Sequence, residues 1–322
     1  MAAGLPVQSW SRALVGGGAS GWTDAPASDR RGRAAAWIGL AALAVMTGVA
    51  ATRDVGDSPA PSRDGTPWHR AAALGRDVMI GAYGGASYTH PGTLTIRNPG
   101  RTDLSVQGVR WDGQPFKSPI YYGLRTVAWP ADARFGTMLD FTHAKAIARL
   151  ADTAGFSGTL NGQTVPPKAP VGDVFRHLEF SHGHNIVTIN GLVGLGAMIS
   201  RLRPYAGIGA GVTLPHTEIG YTKENGRTYE YQYAGVVGQA LAGIEVRLGA
   251  ASLFFEYKFT YAPYSVPLSG VVNGWLLFTD VWRQFRAWSR GEAPPGGTLA
   301  TTLVTHHGIA GLLVRVNRLP IP

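Results

Sequence analysis

The chain has no cysteine. Disulfide staples are therefore excluded, and so are thiolate-held zinc and iron–sulfur centres. Charge is sparse: Asp, Glu, Lys and Arg make up 15% of the residues, and the mean hydropathy is +0.00. Long apolar runs are also scarce. A single stretch is apolar enough to span a bilayer as a helix, which excludes a polytopic helical membrane protein. Other residues are abundant. The 44 glycines are about 14% of the chain, roughly twice ordinary usage. With 9 Trp, 12 Tyr and 11 Phe, the composition argues against disorder. The 322 residues allow one large domain or two small ones. Such a chain suits a β protein that crosses an oxidising compartment.

The net charge is +9, from 29 Lys and Arg against 20 Asp and Glu. A basic chain can bind nucleic acid. Here the basic residues are scattered and no helix carries a base-reading stripe, so no nucleic-acid partner is expected. An anionic membrane surface is the better match.

Arg30, Arg31 and Arg33 precede the apolar run AAAWIGLAALAVMTGVAA, residues 34–51. A basic start, an apolar centre and a small-residue end form a secretory signal peptide. The run is also long enough for a membrane anchor, but its alanine content and final Gly48, Val49, Ala50 and Ala51 favour cleavage. Residues 1–29 then read as a leader extension or a misplaced start. Residues 52–75 form a polar Pro/Ser/Asp linker, expected to be disordered. The organisation expected is leader 1–51, linker 52–75 and a β-barrel over 76–322.

From Asp77 the pattern has period 2. Leu253, Phe255, Tyr257, Phe259 and Tyr261 alternate with Phe254, Glu256, Lys258 and Thr260. Ala206, Ile208, Ala210, Val212 and Leu214 alternate with Gly207, Gly209, Gly211 and Thr213. Ala240, Ala242, Ile244 and Val246 face away from Gln239, Gly243, Glu245 and Arg247. Tyr122 and Leu124 do so from Gly123 and Arg125, and Ala310, Leu312 and Val314 from Gly311 and Arg315. An apolar face opposite glycines and ionisable residues is inside-out for a soluble protein. Lipid outside and a narrow polar lumen demand it. The fold expected is an all-β, antiparallel, eight-stranded transmembrane barrel. Its strands are placed at 77–89, 118–129, 135–148, 184–197, 203–221, 231–248, 251–263 and 302–317. Short and long connections alternate as in outer-membrane barrels. The ending RLPIP lacks the usual final aromatic residue.

This topology sends seven of the nine histidines to one rim: His90, His143, His182, His184, His216, His306 and His307. His182-Gly-His184 puts two imidazoles on one strand face, a spacing that suits a metal chelate. Lys145, Glu179 and Glu218 are nearby. Any one rim histidine also has a bland reading, since polar groups belong where strands leave a bilayer. Convergence from distant parts of the chain favours a site. Asp140, Glu256, Lys258, Arg125, Glu245 and Arg315 are expected to be paired lumen charges. Residues 264–301 carry Trp275, Phe278, Trp282, Phe285 and Trp288 at spacings of 3 and 4, with Arg283, Arg286 and Arg290 among them. That predicts an amphipathic loop helix. It would either contact lipopolysaccharide phosphates or cap the barrel mouth.

The segments SPIYYGLR (118–125), DFTHAK (140–145), HLEFSHGHN (177–185), RPYAGIGAGVTLPH (203–216) and EYKFTY (256–261) resemble the lipid A oxidase family of outer-membrane proteins. The resemblance implies oxidation of the proximal glucosamine of lipid A to 2-aminogluconate by dioxygen, with hydrogen peroxide formed. Its substrate would lack the 1-phosphate, because a blocked anomeric carbon cannot be oxidised. Glycines 207, 209 and 211 open no helix, so no dinucleotide fingerprint supports a flavin or nicotinamide. Oxygen chemistry without an organic cofactor calls for a divalent redox metal. His182, His184, His216 and His143 are the expected ligands. His143, Glu179 and Lys145 are the expected catalytic groups, with Lys145, Arg283 and Arg286 holding the substrate. A monomer in the outer membrane, with lipid A as partner, completes the expectation. Two alternatives remain: a lipid A ester hydrolase using Ser181, His182 and Glu179, and a non-enzymatic small barrel.

Overall fold

The computed structural model describes residues 77–130, 134–195 and 201–316. The expected signal peptide, the linker and the RLPIP end lie outside the described residues. Sixteen strand segments are present among them. They are β1 (Asp77–Thr89), β2 (Gly92–Asn98), β3 (Thr102–Val109), β4 (Trp111–Asp112), β5 (Tyr122–Trp129), β6 (Phe135–Ala148), β7 (Thr153–Leu160) and β8 (Gln163–Thr164). Then come β9 (Lys168–Pro170), β10 (Phe175–Gly194), β11 (Leu202–Thr213), β12 (His216–Tyr221), β13 (Arg227–Tyr231), β14 (Gly235–Leu248), β15 (Ala251–Pro267) and β16 (Thr298–Arg315). One helix, α1 (Leu277–Ser289), lies between β15 and β16. No helix among the described residues is long and apolar enough to cross a membrane.

All pairings are antiparallel. The path β1-β5-β6-β10-β11-β14-β15-β16 returns to its start, because β16 also pairs with β1 from Met79 opposite Arg315 to Thr89 opposite Thr305. The alternation expected from the sequence holds around this ring. Ile189, Ile208, Val236, Ile244, Phe255, Tyr257, Tyr261 and Leu312 are exposed, and Phe254, Glu256, Lys258, Thr260, Arg125 and Arg315 are buried. Side chains fill the interior. Arg125 lies between the rings of Tyr83 and Phe254, at 4.6 and 4.4 Å, and grips Glu256 with two bonds of 2.9 Å. Glycine is required at 123, because a Cβ there would meet the Tyr83 ring at 1.9 Å. At one end of the ring, Arg315 bonds Glu245 and Asp77.

The expected strand bounds need correction at the end of the ring opposite Arg315. Six short strands not expected from the sequence, β2, β3, β4, β7, β8 and β9, occupy stretches read as loops. β2 pairs with β16, and β3 with β2 and β7. They cover an apolar core of Leu94, Ile96, Leu104, Phe156, Phe180 and Leu303 over the end of the ring. The run 203–221 is two strands, not one, with the break at Leu214 and Pro215; proline has no N–H to continue a ladder. Likewise 231–248 divides into β13 and β14. β10 is much longer than expected, since its first half serves the upper sheet and its second the ring.

Candidate functional site

The site follows from which way β10 and β12 face. Leu178, Phe180 and Ile219 enter the upper apolar core. Period 2 therefore turns His177, Glu179, Glu218 and His216 to the opposite face, where His177 and Glu179 are half-buried and Glu218 and His216 buried. β10 pairs Glu179 with Glu218 of β12, which brings the carboxylates together. His177 Nδ1 is 3.2 Å from Glu179 Oε1 and 3.4 Å from Glu218 Oε1. One ligand atom from each of these three residues fits within 4.8 Å of the others. Arg227, from β13, makes a short hydrogen bond to Glu218. Burial raises the Glu218 carboxyl, the Glu179 charge pushes it further, and Arg227 and His177 oppose this.

His182 joins the cluster through an irregularity. On β10, Phe180 pairs with Ala146 and His184 with Ala144, so Ser181, His182 and Gly183 stand opposite Lys145 alone. Gly183 has φ +140°, and a Cβ there would meet the Asn185 side chain at 2.4 Å. This bulge re-aims His182. Its ring meets His216 at 5.1 Å, Trp275 at 5.2 Å and Tyr229 at 5.5 Å, and its Nδ1 is 4.0 Å from Glu218 Oε2. His184 turns inward instead and makes a short bond to Tyr264. The expectation that His182 and His184 share a face is corrected: period 2 does not survive the bulge.

Of the other expected residues, His143 stacks on Tyr122 at 4.8 Å and donates Nδ1–H to Asn185 Oδ1 at 2.8 Å. Its Nε2 has no partner among the described residues. His216 donates Nε2–H to the carbonyl of Gly274 at 2.9 Å, which leaves Nδ1 as a buried bare lone pair. A ring held by a backbone carbonyl with the other nitrogen bare is the arrangement of a metal-ligating histidine. Lys145 donates to the Lys117 carbonyl at 2.8 Å. Arg283 is held by Glu230 at 2.7 Å and Asp280 at 3.2 Å, while Arg286 is exposed. His90 and His306 pair elsewhere, at 2.7 Å, and His307 lies inside between Tyr121 and Thr260. For the hydrolase alternative, Ser181 Oγ lies 3.3 Å from His182 Nδ1. Sequence reasoning missed His177, Tyr229 and Arg227. The signal was present for His177, which is two residues from Glu179, but that stretch was read as loop.

Burial lowers the His216 imidazole to about 3 from an ordinary 6.5. The unfolded chain therefore takes up this proton first, and the stability contributed by neutral His216 is lost as pH falls from about 6.5 towards 3. In urea unfolding, the advantage of the natural chain over His216→Asn should shrink on going from about pH 7 to about pH 4, by up to ~1.4 kcal/mol per pH unit. An advantage that does not change with pH refutes this.

No family model matches the chain, and no curated protein does. Among solved structures, the outer membrane protease OmpT of Escherichia coli is similar at a TM-score of 0.37 and 8% identity, over 74% of this chain and 96% of that one. At that level of likeness no activity transfers from it.

Proposed function

We propose that the protein is a bacterial outer-membrane barrel of eight ring strands that oxidises the proximal glucosamine of lipid A. The reading rests on the sequence resemblance and on one structural observation. The donor cluster His177, Glu179, His182 and Glu218 lies on the face of β10 and β12 turned away from the upper apolar core, where a lipid headgroup standing above the exposed apolar strands would meet it. A protein with water around it would not keep Ile189, Ile208, Val236 and Phe255 outward. A substrate delivered by the bilayer would reach this face sideways, without passing the filled lumen.

The donor set fits a divalent cation, since His177, Glu179 and Glu218 converge and His182 stands at their margin. When bound, such a cation would supply Lewis acidity and an electron path to dioxygen. The chain's own groups would do the rest. A carboxylate of the cluster, Glu179 or Glu218, would take the hydroxyl proton at C1. His182 would hold the sugar against the wall of Trp275 and Tyr229. The C1 hydrogen and the hydroxyl proton leave with two electrons, and dioxygen becomes hydrogen peroxide. The resulting lactone adds water to give 2-aminogluconate, a net gain of one oxygen.

Mass spectrometry of lipid A from cells with and without the gene, the lipid lacking its 1-phosphate, tests this directly. A gain of one oxygen supports the proposal. Loss of an acyl chain supports the ester hydrolase instead, and an unchanged lipid overturns both.

A further inference from the structure

Helix α1 is built inside out. Phe278, Trp282, Phe285 and Trp288, spaced 4, 3 and 3 residues apart, are 50–67% exposed, whereas Asp280 and Gln284 are 2% and 7% exposed. The polar side is fixed to the protein. The Tyr231 N–H donates to Asp280 at 3.3 Å, the Tyr233 N–H to Gln284 at 2.8 Å, and Gln284 donates back to the Tyr233 carbonyl at 2.9 Å. Arg283 bridges Glu230 and Asp280. These bonds fix the helix rotation and hold the aromatic stripe outward. In water that rotation would leave four large side chains wet.

The stripe continues a larger apolar surface. Trp288 meets the Tyr233 ring at 6.0 Å. Tyr233 precedes β14, whose outward residues begin with exposed Val236 and run down the belt to Ile244. Exposed Arg286 neighbours the stripe and suits lipid phosphates. We propose that α1 lies in the plane of the bilayer surface, with its aromatic stripe among the lipids that surround the barrel. Trp275 and Gly274, just before the helix, contact His182 and His216, so α1 would also fix how high the lipid headgroups stand against the donor cluster. This rests on the outer-membrane reading above.

The absence of cysteine makes the test clean. Single-cysteine variants of the full chain, Phe285→Cys and Phe278→Cys on the stripe, Phe255→Cys on the belt and Asp103→Cys on the upper sheet, are labelled with an environment-sensitive fluorophore. Each is reconstituted in phosphatidylcholine vesicles with or without nitroxide-bearing lipids. Labels at 285 and 278 should be quenched roughly twofold or more beyond the label at 103, most strongly by shallow nitroxides. Quenching at 255 with none above the 103 level at 285 and 278 overturns this inference and leaves the barrel reading standing. No quenching at 255 overturns the barrel reading itself. Shielding at 285 that rises with protein concentration and ignores nitroxide lipids assigns the stripe to a second copy of the chain, and also overturns it.

Discussion

Replacing His182 with alanine should lower lipid A oxidation about a hundredfold, the scale for a substrate displaced by about 1 Å from its reacting position. His184→Ala should leave most of the activity. The two residues differ by one glycine in the sequence, yet the bulge separates their roles. His182 meets His216, Trp275 and Tyr229 and stands 4.0 Å from Glu218, while His184 points to Tyr264 in the interior. Glu218→Gln should match the loss at His182, because it removes the carboxylate that both His177 and His182 approach. Each variant is assayed by the fraction of lipid A that gains one oxygen, with barrel assembly checked by the heat-dependent gel shift of the same samples. Equal losses at 182 and 184 would mean that this cluster is not where the sugar reacts.

The contrast also shows what the sequence can reveal. Alternation along β15 is a property of neighbouring residues, so its apolar and polar faces were readable and the structure bears them out. The same rule placed seven histidines at one rim, whereas His90 and His306 form a separate pair and His307 lies inside. What failed was its use across irregular backbone. Gly183 cancels the period at the point where it mattered most. Pro215 divides a stretch whose composition stays strand-like on both sides. The upper sheet was missed although β2 and β3 form a hairpin that alternates Leu94 and Ile96, and Leu104 and Val106, with polar residues; what could not be read is the pairing that places it, β2 with β16 across some 200 residues. Such pairings leave no local signature. His177 was lost with that sheet, since its value comes from Glu218, a partner forty-one residues further on. The inverted helix was half legible: spacing predicted the stripe, while the bonds from β13 that turn it outward depend on tertiary contact.

The lumen network supplies the largest expected effect on stability. Asp140 accepts from Arg125 at 3.1 Å, from Tyr83 at 3.1 Å and from Lys258, and Glu256 accepts from Arg125 and from Tyr205 at 2.7 Å. Two cations and two carboxylates balance, and all four are almost wholly buried. Asp140→Asn removes one negative charge and leaves Lys258 without its carboxylate, while Arg125 keeps Glu256. Breaking one side of a buried pair costs about 3–5 kcal/mol, because a desolvated charge is left without its partner. Urea unfolding in vesicles should show a loss of that size. Adding Lys258→Met to the first change removes the surplus cation and restores balance, so the double variant should recover much of the loss. As a contrast, Arg97→Met breaks the Arg97–Asp103 pair, whose side chains are 71% and 70% exposed, and solvent screening should leave stability almost unchanged. If Asp140→Asn behaved like Arg97→Met, the interior charges would have to be hydrated, and the tightly filled lumen that sends a lipid substrate to the face of the donor cluster would be wrong.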